Sequence, residues 1–139
     1  MIFMSYSQRE TEEFGATLAA QAVGGSFYAL IGDLGAGKTA FARGFARGLG
    51  VACDISSPTF AIINEYSGRL PLYHFDVYRI GHLEEMGDTG YEEYFYGGGV
   101  VLVEWADLIR DFFPPNAVII EFERIAEFGD DFRRIVVKK

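Results

Sequence analysis

The residues best suited to chemistry form a glycine-rich run that ends in a lysine and a threonine, Gly32-Asp33-Leu34-Gly35-Ala36-Gly37-Lys38-Thr39. A Gly, four residues and then Gly-Lys-Thr is the pattern of a phosphate-binding loop. In such a loop, successive backbone amides and the positive end of a helix dipole converge on the phosphates. Lys38 would supply a charge to the β- and γ-phosphates, and Thr39 would supply a hydroxyl to Mg²⁺.

The segments on either side of this run suit a phosphate loop. Residues 26–31 are apolar and aromatic, which predicts a buried strand, and residues 40–49 predict a helix. Arg43 and Arg47 lie four apart in that helix and are predicted to form a solvated face. The alternative is a glycine-rich turn ahead of an ordinary helix.

Composition limits the class of protein. The chain has 139 residues, half of them hydrophobic, which predicts one domain spanning residues 1–139. It has neither an apolar run of membrane-spanning length nor a basic and then apolar N-terminal segment, so we expect no membrane or secretion segment. Cys53 is the single cysteine, which favours a reducing cytoplasm, and a lone cysteine is usually a core residue. The net charge of −8 disfavours unaided binding to nucleic acid.

The remaining pattern predicts an α/β domain. Ser7 and Glu10 form a capping box that begins a helix, and Gly24-Gly25 ends it. Further strands are predicted at 61–66, 72–78, 100–103, 118–122 and 132–137, and further helices at 82–86 and 106–113. The first two of these strands, and also the last two, read as antiparallel hairpins. The sheet should therefore be mixed.

Two acids follow strand-like runs and are candidates for the metal. Asp76 and Glu104 both stand where strand carboxyl ends could face the glycine-rich run, and spacing alone does not rank them. Either could instead cap a helix or pair with Arg79. Thr59, in a Ser-Pro-Thr segment, is a third candidate, for the metal, the γ-phosphate or the attacking water; it could equally be a turn residue at a strand entry.

Other residues have a simpler interpretation. His74 alternates with apolar residues and is predicted to be a strand histidine with satisfied hydrogen bonds, whereas His82 should lie at a helix start. The acidic aromatic segment 91–96 is either part of a protein-docking face or a source of buried rings.

Four blocks in order carry a family resemblance. They are Gly-Asp-Leu-Gly-Ala-Gly-Lys-Thr (32–39), Ser-Pro-Thr-Phe (57–60), Tyr-His-Phe-Asp-Val-Tyr-Arg (73–79) and Glu-Trp (104–105). Together they resemble the bacterial TsaE family over nearly the whole chain. The resemblance implies a P-loop NTPase-like three-layer sandwich with a mixed, mostly parallel sheet. It also implies an ATPase required for the threonylcarbamoyl modification of adenosine 37 in tRNA, acting with TsaB-like and TsaD-like proteins.

The resemblance also implies roles for individual residues. Lys38 would contact phosphates, and Thr39 and Glu104 would hold Mg²⁺. Asp76 would orient water or the metal, and Thr59 would lie in a switch-like loop. Trp105 completes the Glu-Trp pair. The base would lie between the N-terminal segment and the last hairpin, which makes Ser7, Gln8, Thr11 and Arg133 candidate base-site residues. The acidic composition suits a subunit that reaches tRNA only through its partners.

Rival functions share these residues. A small-molecule kinase usually adds an acceptor-binding insert and an arginine-bearing lid, for which 139 residues leave little room. A GTPase would need Asn-Lys-x-Asp, yet the lysines are at positions 38, 138 and 139 alone. A nucleotide-sensing subunit without catalysis fits every binding residue. The sequence shows no obvious arginine finger, and Arg79 is the nearest candidate within the chain. We therefore expect slow hydrolysis by the chain alone, accelerated by partners that complete the site.

Overall fold

The fold is built on one sheet of seven strands. The computed structural model describes residues 1–33, 35–53, 55, 63–77 and 90–139. The described strands are β1 (Ile2–Ser5), β2 (Phe27–Ile31), β3 (Ile63–Tyr66), β4 (Leu72–Asp76), β5 (Val100–Glu104), β6 (Val118–Arg124) and β7 (Arg133–Lys138). The described helices are α1 (Gln8–Ala20), α2 (Lys38–Gly48), α3 (Tyr91–Phe95) and two 3-10 helices, Ala106–Phe112 and Ala126–Phe128.

The sheet is parallel in its centre and antiparallel at both edges. Its strand order is β1-β7-β6-β2-β5-β4-β3. β2 pairs in parallel with β5 and with β6, and β4 pairs in parallel with β5. β3 with β4, β6 with β7, and β1 with β7 are antiparallel. This arrangement confirms the predicted mixed sheet and both predicted hairpins.

Alternation along the central strands divides the core between the two faces of the sheet. On β2, Tyr28 and Leu30 pack in a cluster with α1 and α2, whereas Phe27 and Ala29 pack in a second cluster on the opposite face. The second cluster is covered by α3 and the 3-10 helix Ala106–Phe112. Burial on both faces explains the unbroken apolar run that the sequence shows in β5. The result is the predicted three-layer arrangement.

Helices α1 and α2 pack unusually closely because glycines lie at their contact. A Cβ built on Gly44 would lie 1.8 Å from the carbonyl oxygen of Glu12, and one on Gly48 would lie 2.5 Å from that of Ala16. A Cβ on Gly15 would lie 2.4 Å from the carbonyl oxygen of Phe41. No side chain fits at such distances, so backbone meets backbone. The two helices are therefore held at a fixed spacing.

The capping box was predicted correctly in its first half. The Ser7 hydroxyl accepts the amide of Glu10 at 3.1 Å and begins α1. The Glu10 carboxylate accepts the amide of Tyr6 at 3.1 Å, one residue earlier than the usual capping box provides.

Three details depart from the sequence prediction. β1 was not anticipated, because its four residues gain stability only by pairing with β7 at the other end of the chain. The predicted helix after Glu104 is present but is a 3-10 helix, with non-helical backbone at Ile109. Cys53 is exposed, so the expectation of a core cysteine is wrong.

Several predicted segments lie partly or wholly outside the described residues. They are the helix at 82–86 with His82, the Ser-Pro-Thr segment with Thr59, Leu34 and Arg79. Within the described part, no helix is long and apolar enough to span a bilayer. In the acidic aromatic segment 91–96, Phe95 is buried and Tyr91 and Tyr94 pack beside it, while Tyr96 is exposed.

Candidate functional site

One edge of the sheet gathers the candidate residues. The carboxyl ends of β1, β2, β4, β5 and β6 meet there, together with the amino end of β7, because of the pairing directions described above. A cleft of about 600 Å³ opens at this edge. Nine predicted site residues line it: Gln8, Thr11, Gly35, Gly37, Lys38, Thr39, Asp76, Glu104 and Arg133.

The glycine-rich run leaves β2 and turns directly into α2. Gly35 and Gly37 have φ angles of 78° and 103°, in the left-handed region that favours glycine. Gly37 is the N-cap residue of α2, which begins at Lys38. The first amides of the helix have no partners within the helix, and Lys38, Thr39 and Ala40, which carry them, line the cleft, as an anion-binding site requires.

Lys38 is buried at the inner end of the cleft. Its Nζ donates to the carbonyl oxygen of Gly32 and lies 3.6 Å from the centroid of the Trp105 ring. Burial lowers the pKa of Lys38, and the negative charges of Glu104, Asp107, Asp33 and Asp76 oppose that shift. The ammonium of Lys38 attracts a further anion strongly because it is partly removed from water. The surrounding carboxylates repel that anion, so a bound cation or proton must balance their charge.

Both candidate acids reach the cleft. Asp76 and Glu104 are direct partners in the parallel register of β4 and β5, and both are buried on the side of the sheet that faces α2. Thr39, in the first turn of α2, lines the same cleft but is exposed. The structure thus brings together both acids that sequence spacing left unranked.

The donor set fits Mg²⁺ that is bound jointly with phosphates. Among the described residues, no group of three or more His, Cys, Asp or Glu side chains could hold a metal ion by itself. Mg²⁺ usually takes one or two carboxylates and completes its shell with water and substrate phosphates. Two buried carboxylates and a hydroxyl beside a helix N-terminus meet that description, with Glu104 and Thr39 as the predicted ligands.

The other end of the cleft is formed by α1 and the last hairpin. Thr11 is buried, and its Oγ1 lies 2.7 Å from Oγ of Ser5, which ties α1 to β1. Gln8 is exposed at the start of α1. Ser7, the fourth base-site candidate, caps α1 instead.

Arg133 joins the last hairpin to the glycine-rich run. Its Nη2 donates to the carbonyl oxygen of Gly35 at 3.1 Å, and its side chain packs against Gly37. Burial lowers the pKa of Arg133, Arg124 on the neighbouring strand lowers it further, and Asp131 and Asp130 oppose both. The residue therefore contacts the predicted phosphate loop directly, which its assignment to the base had not anticipated.

Two predicted loop residues do not line the cleft with their side chains. Asp33 is exposed and its carbonyl oxygen accepts the amide of Ala36 at 3.0 Å, so the pair closes the turn of the run. Ala36 is buried in the core beneath it. Leu34 and Thr59 lie outside the described residues.

Sequence reasoning missed two charged residues at the cleft. Arg43 was assigned to a solvated face, yet it lines the cleft while remaining exposed. Its position four residues after Thr39, on the same side of α2, was a usable signal. Asp131 also lines the cleft from the turn before β7, and nothing local in the sequence marked it.

Comparison with known proteins gives a consistent family. A model of the threonylcarbamoyl adenosine biosynthesis protein TsaE matches residues 5–134. The tRNA threonylcarbamoyladenosine biosynthesis protein TsaE of Bacillus subtilis (strain 168) is 50% identical over 127 residues, which cover 91% of this chain and 77% of that protein. The protein of the same name from Treponema pallidum (strain Nichols) is 40% identical over 124 residues, covering 89% and 92%. The crystal structure of Bacillus subtilis YdiB superposes with a TM-score of 0.78 at 44% identity, covering 97% of this chain and 82% of that one.

Proposed function

The chain belongs to the TsaE family, and from that premise we propose that it is a Mg²⁺-dependent ATPase subunit of tRNA threonylcarbamoyladenosine synthesis. The observation that carries the proposal is one cleft in which the Gly-Lys-Thr run, Asp76 and Glu104 meet. In this role the chain acts with TsaB-like and TsaD-like proteins, and it reaches tRNA through them.

The residues divide the work of hydrolysis. The amides at the start of α2 and the ammonium of Lys38 hold the β- and γ-phosphates and offset their charge. The hydroxyl of Thr39 and the carboxylate of Glu104 would hold Mg²⁺, which would offset negative charge on the phosphates during hydrolysis. Asp76, beside Glu104 in the register, accepts a hydrogen bond from the attacking water and orients it.

Lys38 must move for this chemistry. In the structure its ammonium contacts Trp105 and the carbonyl oxygen of Gly32. Triphosphate oxygens offer stronger, charged acceptors, so binding should draw the ammonium away from the indole. Since Trp105 is the single tryptophan, its emission reports this step.

The test is phosphate release by the purified chain with ATP and Mg²⁺, alone and with TsaB-like and TsaD-like proteins. We expect slow release alone and faster release with the partners, which complete the site. A change in Trp105 emission without phosphate release under either condition would make the chain a nucleotide-sensing subunit instead. Transfer of the terminal phosphate to a small molecule would indicate a kinase.

A further inference from the structure

A buried histidine stands behind the candidate metal ligand. His74 lies on β4, two residues before Asp76, and only 2% of it is exposed. Alternation places it on the same face of the sheet as Leu72 and Asp76, towards α2, while Phe75 packs in the opposite core. The sequence predicted a histidine with its hydrogen bonds satisfied. Among the described residues, only Nε2 of its two ring nitrogens has a hydrogen-bond partner.

The satisfied nitrogen contacts Glu104. His74 Nε2 lies 2.6 Å from Oε2 of Glu104. The register pairs Asp76 with Glu104 and His74 with Leu102, so the imidazole reaches diagonally to the end of the neighbouring strand. Both residues stand on paired strands inside the sheet, and both are buried. This pairing fixes the position of one carboxylate oxygen without using a loop.

The two ring nitrogens of His74 differ in their partners. At 2.6 Å, Nε2 and Oε2 of Glu104 share one hydrogen bond, in which a ring N–H donates and a carboxylate oxygen accepts. Nδ1 of His74 has no hydrogen-bond partner among the described residues.

We propose that His74 is a positioning residue that holds the Glu104 carboxylate for the metal. With Oε2 engaged by the imidazole, Oε1 is left for a cation in the cleft that Glu104 lines. Hydrogen bonds from such outer residues orient metal ligands, and losing one typically costs 10–100-fold in metal affinity. The inference rests on the proposed function, because it takes Glu104 as a ligand of Mg²⁺.

The test uses Mn²⁺ as a probe, with its affinity for the protein–ADP complex measured by electron paramagnetic resonance. His74→Leu removes the donor, and His74→Gln offers an amide nitrogen at nearly the distance of Nε2. We expect His74→Leu to weaken Mn²⁺ binding about 10–100-fold, and His74→Gln to restore most of it. ADP affinity in EDTA should stay within about twofold of the parent in both variants, because the amides and Lys38 are unaltered. If His74 had only a packing role, its substitution would not lower Mn²⁺ affinity while leaving ADP affinity in EDTA unchanged.

Controls keep the inference distinct from the proposed function. Glu104→Gln should also lose Mn²⁺ affinity, and Glu121→Gln, an acid paired with Lys138 away from the cleft, should not. If Glu104→Gln loses Mn²⁺ and a folded His74→Leu does not, the positioning role is wrong while the metal site stands. If neither loses it, both are wrong. If His74→Leu fails to fold, His74→Asn replaces it, because the asparagine side chain is too short to reach Glu104. Equal Mn²⁺ affinity in the Asn and Gln variants would then overturn the proposal.

Discussion

The two ends of the cleft are built in different ways. The phosphate end consists of strand termini in the middle of the sheet, where Lys38, Asp76 and Glu104 are all buried. The other end consists of the start of α1 and the last hairpin, where Gln8 and Asp131 are exposed. Charges interact strongly where water is excluded and weakly where it is not. Substitutions at the phosphate end should therefore cost much more than substitutions at the other end.

The largest expected effect comes from Lys38→Ala. This substitution removes the buried ammonium whose charge would offset the triphosphate. The negative charges of Glu104 and Asp76 stay beside the phosphates and would repel them. We expect ATP affinity, measured by isothermal titration calorimetry, to fall about 100-fold or more. Lys138→Ala is the matched control, because that lysine pairs with Glu121 on the surface. Unchanged ATP affinity in Lys38→Ala would show that the phosphate-loop assignment is wrong.

The second substitution changes the contact between α1, at one end of the cleft, and α2, at the other. Gly44→Ala adds a methyl group 1.8 Å from a carbonyl oxygen of α1 and must push the helices apart. We expect a loss of about 1–3 kcal/mol in the free energy of unfolding, measured by denaturant titration. Gly98→Ala is the control, because no atom of the described residues lies within 4 Å of its added Cβ. Equal stability of the two variants would mean that α1 and α2 move apart without cost.

Substitution of Arg133 tests whether the end of the cleft formed by α1 and the last hairpin contributes to phosphate binding. Arg133→Gln removes the contact with Gly35 and the charge beside the glycine-rich run. We expect about a 10-fold loss of affinity for ADP, as for one charge-assisted hydrogen bond. Arg134→Gln is the neighbouring control, since Arg134 instead faces Glu123 at 3.5 Å. A loss for Arg133→Gln as large as that for Lys38→Ala would remove the contrast between the two ends.

The smallest effect is expected for Gln8→Ala. Gln8 is exposed and lies at the first turn of α1, so its contacts with a nucleotide compete with water. We expect less than about a threefold change in ADP affinity by the same titration. A larger change, with α1 still folded by circular dichroism, would place a specific base contact at this end.

Local pattern was sufficient for the phosphate end. The Gly-Lys-Thr run, the buried strand before it and the acids at the ends of β4 and β5 were all predicted, because each depends on residues close together in sequence. The length of β5 and its burial on both faces followed from its apolar run. The position of Asp76 directly beside Glu104 could not be predicted from the sequence, because the register of two strands is set by their pairing and not by either strand alone.

The other end could not be predicted in the same way. β1 carries only four residues, and its partner β7 lies more than a hundred residues away. That pairing brings the start of α1 to the cleft, and the β6–β7 hairpin brings Arg133 there. The contact of Arg133 with Gly35 had no local signal, because it joins residues 98 apart.

The sequence by itself determined the central strands, the two long helices, the phosphate-loop pattern and the acids at two strand ends. Only the tertiary structure decided that β1 closes the edge, that glycines bring α1 against α2, and that His74 contacts Glu104. The physical reason is the range of the interactions. Periodicity and turn chemistry act over a few residues, whereas register and burial depend on segments that meet only when the sheet has formed.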